Sequence, residues 1–384
     1  QSIARVAHVW ISGGFRAVRH RTIIRRSQRD SMNGIQIYAE PDLQMLTIIN
    51  GIPEGLLDLE SSQLANILNG PTLIHLDGRR DDTLFVSALL HGNEPTGWEA
   101  VRRLLKAYDA GGGDKPLPRN LSLFIGNVAA AQAGLRHLDG QPDYNRVWPG
   151  GELTDNPEAG MMQLVIDSVV QRNLFASIDI HNNTGINPHY GCVNVIDNRF
   201  LRLALLFSRL VIYFIRPAGV QSLAMAQHCP AVTIEAGKVG DEAGIEHTRQ
   251  FVDACLHLSE LSGEPLHHEE IDLFHTVATV KVPKDVGFDF EDDTRTISFY
   301  SELERFNFCE LPEGTAWGTI SNGTLPLEVI SENGNSVAER FFVNDDGLLK
   351  NRVPVMPSML TSDLRVIEQD CLCYLMERWA AVPR

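Results

Sequence analysis

Short apolar runs alternate with amphipathic stretches from about residue 72 onward. The runs read PTLIHL at 71–76, TLFVSALL at 83–90, NLSLFIGNV at 120–128, LFASIDIH at 174–181, RLVIYFI at 209–215 and AVTIEAG at 231–237. Such runs, separated by segments of helical period, predict an α/β domain with a mixed central sheet flanked by helices. After the second run, GWEAVRRLLKAY puts Ala100, Val101, Leu104 and Leu105 on one helical face and turns Arg102, Arg103 and Lys106 outward. Ligands in open sheets gather at the carboxyl ends of strands. The residues that end each run are therefore where chemistry is sought first.

The pattern changes twice. Beyond the polar stretch SGEPLHHEEID at 262–272, brief β-like runs are separated by the turns PEGT, SNGT, ENGN and NDDG. This predicts a smaller β-rich C-terminal domain over 263–384, with Leu364 to Trp379 helical, beside a main domain over 32–262. Residues 1–31 hold seven arginines against the single acid Asp30 and sustain no hydrophobic period. They read as a basic extension outside the fold, either an Arg-rich leader or a stretch upstream of the first methionine, Met32.

Composition narrows the function classes. With 384 residues and 43% hydrophobic positions the chain can bury one large core or two ordinary ones. Lys and Arg total 33 against 49 Asp and Glu, a formal charge of -16, which argues against nucleic acid and anionic membrane surfaces and favours a small polar substrate. Cys192, Cys229, Cys255, Cys309, Cys371 and Cys373 show no CxxC spacing, which fits a reducing, cytoplasmic setting. The apolar stretch Phe200 to Ile215 is broken by Arg202 and Arg209 and reads as a buried helix leading into a strand.

A His-x-x-Glu spacing occurs three times, at His91/Glu94, His257/Glu260 and His267/Glu270. The last two lie in polar surroundings and read as solvated faces. The first, in LHGNEPTG, follows a run expected to be buried on both faces, where Gly92 and Gly97 permit a tight turn that aims both side chains at one point. His181, ending the run in SIDIHNNTG, is the third candidate, and His91, Glu94 and His181 would form the two-histidine, one-carboxylate set of a catalytic zinc. Asp179 could orient a ligand from behind. Glu235 in AVTIEAGKVGD repeats the strand, functional residue, glycine arrangement and is the candidate general base. In LRHLDGQPDYNRVWPG, Arg136 and Arg146 offer guanidinium forks for a substrate carboxylate and Asn145 a further donor.

In this order, HGNEPTG, DYNR, DIHNNTG and TIEAG, spanning roughly residues 72 to 240, resemble the succinylglutamate desuccinylase and aspartoacylase family, a branch of the zinc carboxypeptidase superfamily. The resemblance implies a carboxypeptidase-like domain holding one zinc on His91, Glu94 and His181, with Glu235 as base. It implies that Asn145 and Arg146 bind the substrate carboxylate, that Arg136 polarises the scissile carbonyl or holds the substrate, and that a β-rich C-terminal domain narrows the mouth. The chain departs from the family in its tyrosines. Only Tyr300 and Tyr374 lie beyond residue 262, neither in a matching context, and Tyr213 is expected to be too buried to cap the site.

The expected activity is zinc-dependent hydrolysis of the amide bond of a small carboxylate-bearing N-acyl amino acid. A metallocarboxypeptidase acting on short peptides or amino-acid conjugates shares every catalytic residue and is the near alternative. A non-catalytic metal-binding module is the further one, and it would be marked by loss of the base.

Overall fold

The computed structural model describes residues 45–379 apart from His268, Asp293 and Asn322. The basic stretch 1–31 lies outside the described residues, and with it the expectation that it stands apart from the fold. The apolar runs form strands: β1 (Thr47–Asn50), β2 (Thr72–Leu76), β3 (Thr83–Ala88), β4 (Asn120–Ile125), β5 (Leu174–Asn183), β6 (Tyr190–Val193), β7 (Leu210–Tyr213) and β8 (Ala231–Lys238). The later strands are β9 (Asp272–Lys281), β10 (Phe288–Phe290), β11 (Ile297–Phe299), β12 (Ala316–Ile320), β13 (Glu328–Ser331), β14 (Phe342–Asp345), β15 (Leu348–Asn351), β16 (Met356–Ser358) and β17 (Cys373–Arg378).

Among the described residues, a twelve-stranded sheet runs β1-β2-β4-β3-β5-β8-β6-β7-β9-β17-β16, with β13 also paired to β9. Its centre, β4-β3-β5-β8, is parallel, while β6 is antiparallel to β8, making the sheet mixed. Every residue of β3 is buried, as expected for a strand covered by helices on both faces. The helix Thr96–Leu105 buries Trp98, Ala100, Val101, Leu104 and Leu105, and leaves Arg102 to bond Glu99 one turn back at 2.6 and 2.9 Å. Each buried valine or leucine among them contributes about 1.5–3 kcal/mol. Helix Pro157–Val170 adds Met161, Met162, Val165, Ile166 and Val169 to the same core.

A separate five-stranded sheet, β10-β11-β12-β15-β14, packs its own core around Trp317, Phe299 and Phe342. The NDDG turn joins β14 to β15 with Asp346 and Gly347 at φ 49° and 85°, the left-handed pair that a tight hairpin turn requires. Strands β9, β16 and β17 extend the large sheet, so strands from both sides of residue 262 share it.

The stretch from Leu364 to Trp379 is only half helical. A helix covers Leu364–Gln369, and β17 follows, inserted between β9 and β16. Leu375 and Met376 favour helices weakly in isolation. Ladder bonds on both sides and burial of Cys373, Tyr374, Leu375 and Met376 outweigh that preference. Phe200 to Ile215 is a helix, Asn198–Leu205, leading into β7. No helix among the described residues is long and apolar enough to cross a membrane.

Candidate metal and catalytic site

The three candidate segments meet because β3, β5 and β8 are neighbours whose carboxyl ends open on one side. After β3 the chain turns at Leu89, whose φ is 58°, and runs close beneath the helix Val128–Ala133. A side chain at Gly92 would overlap the peptide between Ala130 and Ala131. Gly92 thus serves close approach rather than turn freedom, a different reason from the one its sequence context suggests. Its N–H donates to Arg136 O at 3.1 Å, and Glu94 N–H donates to His91 O at 3.2 Å, fixing the loop. His181 and Glu235 are register partners on β5 and β8, so they stand side by side on one face.

His91 Nδ1, a Glu94 carboxylate oxygen and His181 Nδ1 converge. Among the described residues, these three form the group able to hold a metal ion, with donor atoms all within 4.8 Å of one another. His91 Nδ1 is 2.8 Å from Glu94 Oε1, His181 Nδ1 is 2.7 Å from Glu94 Oε2, and the two Nδ1 atoms are 3.2 Å apart. The outer nitrogens are tied back. His91 Nε2 meets Asp143 Oδ1 at 3.0 Å, and His181 Nε2 meets Asp179 Oδ2 at 2.8 Å. An Nε2–H donated to a carboxylate leaves the Nδ1 lone pair facing inward on both rings, the arrangement a metal-binding histidine needs. Asp179 is itself held by Ser87 Oγ at 2.6 Å.

The electrostatics favour positive charge beside Glu94. Burial opposes ionisation of Glu94, yet His91 and His181 outweigh it and hold the carboxyl well below its usual range. Burial likewise opposes charge on His181, but Asp179 and Glu94 prevail and hold it well above the usual imidazole value. The donor set therefore fits a metal ion of the kind bound by nitrogen and carboxylate oxygen.

Glu235 is buried, and its Oε2 has no hydrogen-bond partner. Burial pushes its carboxyl up to about 8, helped by Glu94 and Asp179 and opposed by His181 and Arg136. Arg136 donates from Nε and Nη2 to Asp143 Oδ2 at 3.1 and 2.8 Å, and its Nη1 lies 3.8 Å from Glu94 Oε1. Asn145 accepts from Gln221 N at 2.9 Å through Oδ1 and brings Nδ2 to 3.1 Å from His181 Nε2. All seven residues singled out in the sequence (His91, Glu94, Arg136, Asn145, Arg146, His181 and Glu235) line one cleft.

Four further residues shape this site. Asp143 bridges His91 and Arg136. Asn182 donates to Thr96 Oγ1 and to Gly237 O at 2.8 and 2.9 Å and accepts from Thr96 N, stapling β5 to the helix after the His91 loop and to the end of β8. Asp143 and Asn182 both sit inside quoted motifs, so their place was there to be read. Tyr374 and Asp370 also line the cleft. Asp370 accepts from Arg146 Nη2 at 2.9 Å on both oxygens and from Arg136 Nη2 at 3.1 Å. Burial opposes its ionisation, but the two guanidinium groups hold it below the usual carboxylate range. Tyr213 is only half-buried. Ile212 and Phe214 face the cleft, and Tyr213, between them, points to the other side of β7 and packs on His275 and Trp379.

The other two His-x-x-Glu pairs behave as solvated faces. Glu260, His267 and Glu270 are exposed, and His267 N–H donates to Glu270 Oε2 at 2.7 Å.

Residues 80–259 match the succinylglutamate desuccinylase/aspartoacylase catalytic domain. A succinylglutamate desuccinylase of Serratia proteamaculans is 29% identical over 254 residues, which cover 60% of this chain and 72% of that one. Among solved structures, succinylglutamate desuccinylase from Vibrio cholerae aligns with a TM-score of 0.56 at 13% identity, over 85% of this chain and 96% of that one. Murine aminoacylase 3 aligns with a TM-score of 0.51 at 16% identity, over 79% and 97%. At these identities the structural matches speak to the fold, a mixed sheet flanked by helices with a small β-rich C-terminal region.

Proposed function

Because residues 80–259 match the catalytic domain of the succinylglutamate desuccinylase/aspartoacylase family, a family of hydrolytic deacylases, we propose that this chain is a zinc-dependent deacylase of small N-acyl amino acids. The observation that carries the reading is the convergence of His91 Nδ1, Glu94 and His181 Nδ1 beside a buried Glu235 oxygen that has no partner. His91, Glu94 and His181 would hold the zinc. When bound, it supplies Lewis acidity that polarises a water and the scissile carbonyl.

The protein's own groups do the rest. Glu235 takes the proton of the attacking water and passes it to the leaving nitrogen. Its buried setting keeps its proton affinity near neutrality, where a base that must also act as an acid works best. Arg136 Nη1, facing Glu94, donates to the oxygen on which negative charge develops. Arg146, with Asn145 beside it, grips the substrate carboxylate. Residues from the chain beyond 262, Thr276, Ser358, Met359, Asp370 and Tyr374, close one side of the cleft, in keeping with a smaller C-terminal domain that narrows the mouth. The cysteines are unpaired and all but Cys309 are buried, which supports a reducing, cytoplasmic setting.

Metal analysis of the purified protein, with a panel of N-acyl amino acids and dipeptides, tests this reading. One zinc per chain and hydrolysis of acyl amino acids are expected. Turnover of dipeptides alone would make the enzyme a carboxypeptidase. Glu235→Gln should lower kcat by about 10²–10⁴ while metal content is unchanged, and a near-normal rate in that variant would remove Glu235 from the role of base.

A further inference from the structure

Arg146, assigned above to the substrate carboxylate, already shares a protein carboxylate with Arg136. Asp370 places both oxygens 2.9 Å from Arg146 Nη2 and one of them 3.1 Å from Arg136 Nη2. Asp143 takes the other side of Arg136. Two guanidinium groups are thus matched by two protein carboxylates, and the clamp offers no uncompensated positive charge.

Asp370 is delivered by a braced segment. It follows the helix Leu364–Gln369, leaves helical conformation at φ −132° and ψ −84°, and still donates its N–H to Val366 O at 2.9 Å. Upstream, Ser362 donates from N and Oγ to Glu304 Oε1 at 2.9 and 2.6 Å, and Met359 N–H donates to Asn187 Oδ1 at 3.0 Å. Leu360 exchanges hydrogen bonds with Asn307, both at 2.8 Å. Downstream, Tyr374 is held in β17 opposite Thr279. The cleft wall also carries apolar Ile212, Phe214, Val220 and Met359 and a third guanidinium, Arg216, which is exposed and bonds Glu152 Oε1 at 3.3 Å.

We infer that Asp370 is a specificity-determining residue that selects for N-acyl amino acids carrying a single carboxylate, with an uncharged acyl group and side chain. One substrate carboxylate can compete with Asp370 for Arg146 Nη2. A second would find no buried cation, since Arg216 is exposed and already bonds Glu152, and burying a charge without a partner is costly. The uncharged remainder of the substrate then lies against the apolar wall. This inference rests on the deacylase reading for its substrates, and its test separates the two.

The first measurement needs no variant. Wild-type kcat/KM for N-acetyl-leucine should exceed that for N-acetyl-aspartate at least tenfold, and equal or reversed preference overturns the inference. Asp370→Asn should lower KM for N-acetyl-aspartate at least fivefold with kcat within a factor of two, narrowing the preference, while Asp370→Glu should keep it. An unchanged ratio in Asp370→Asn also overturns it. The third readout is binding rather than turnover. Calorimetry of succinate and butyrate with metal-stripped protein should show succinate tightening at least tenfold in Asp370→Asn and butyrate changing little. If no acyl amino acid is cleaved but this binding shift is seen, the deacylase reading fails and Asp370 keeps its role at the clamp; cleavage without the shift refutes the role of Asp370 alone.

Discussion

Each inner histidine depends on a single atom behind it. His91 Nε2 rests on Asp143 and His181 Nε2 on Asp179, and these contacts select the tautomer whose Nδ1 faces the metal position. Asp179→Asn should weaken metal binding about 10- to 100-fold in competition with a chelator, with little change in thermal unfolding of the metal-free protein. Equal affinity would mean that the ring holds its orientation without the aspartate. A second residue tests burial. His75 bonds Ser122 Oγ and Ser168 Oγ at 2.8 and 3.0 Å, and burial, with Arg172 nearby, brings its value from 6.5 down to about 4. Between those values the unfolded chain binds more protons than the folded one. The stability this histidine contributes is therefore present above about pH 6.5 and is lost as pH falls toward 4. Urea midpoints between pH 7 and 5 should drop less in His75→Gln than in the wild type, and parallel curves would exclude His75 as the source. At this scale much of the cleft was legible. His91, Glu94, His181 and Glu235 each end an apolar run, so strand geometry alone brings them to one edge. Asp370 was not legible, because it lies 224 residues from Arg146 and nothing local marks it. The pairing of β17 with β9, and the bonds of residues 359–362 to Asn187, Asn307 and Glu304, carry that part of the chain to the cleft.

Elements were easier to read where burial and period agree. The amphipathic helix at Thr96–Leu105 and the buried strands β3, β5 and β8 stand where the pattern puts them. The helical expectation for Leu364 to Trp379 fails at Cys373–Arg378, because the partner strands that decide the matter are distant in sequence. The loop after β3 is where element packing meets chemistry. Gly92→Ala must push the loop away from the helix Val128–Ala133, and such overpacking costs about 1–3 kcal/mol. The expected result is a lowered Tm together with weaker metal binding, since His91 moves with the loop. Loss of Tm with metal affinity unchanged would show that the loop relaxes without carrying His91.

Across the described residues, the large sheet continues from β5 and β8 through β6, β7 and β9 to β17 and β16. A single carboxylate ties the centre of this sheet to the segment after β16. Glu304 accepts from Ser362, from Ile186 N just beyond β5, and from Lys238 at the end of β8. Glu304→Ala leaves these donors without their partner and should cost about 1–3 kcal/mol. Hydrogen exchange should quicken in residues 358–363, and KM should rise more than kcat falls, because the segment bearing Asp370 loosens while β5 and β8 stay paired. A fall in kcat alone, with exchange unchanged, would place the effect in the catalytic strands. The continuity of the sheet also explains why composition could suggest a β-rich C-terminal region but not how it reaches the site. Turn motifs mark where strands end, and they carry no information about which distant strand each one will join.

His181 and Glu235 are bolted to adjacent strands at the sheet's centre, whereas Asp370 hangs from a short helix at its far end. Mutation is therefore free to act on the two with unequal consequences. If Asp370 has the role proposed above, substitutions, insertions or losses between residues 359 and 372 redirect which molecules the cleft accepts while β5 and β8 stay unaltered. One lineage can change its diet without relearning its chemistry.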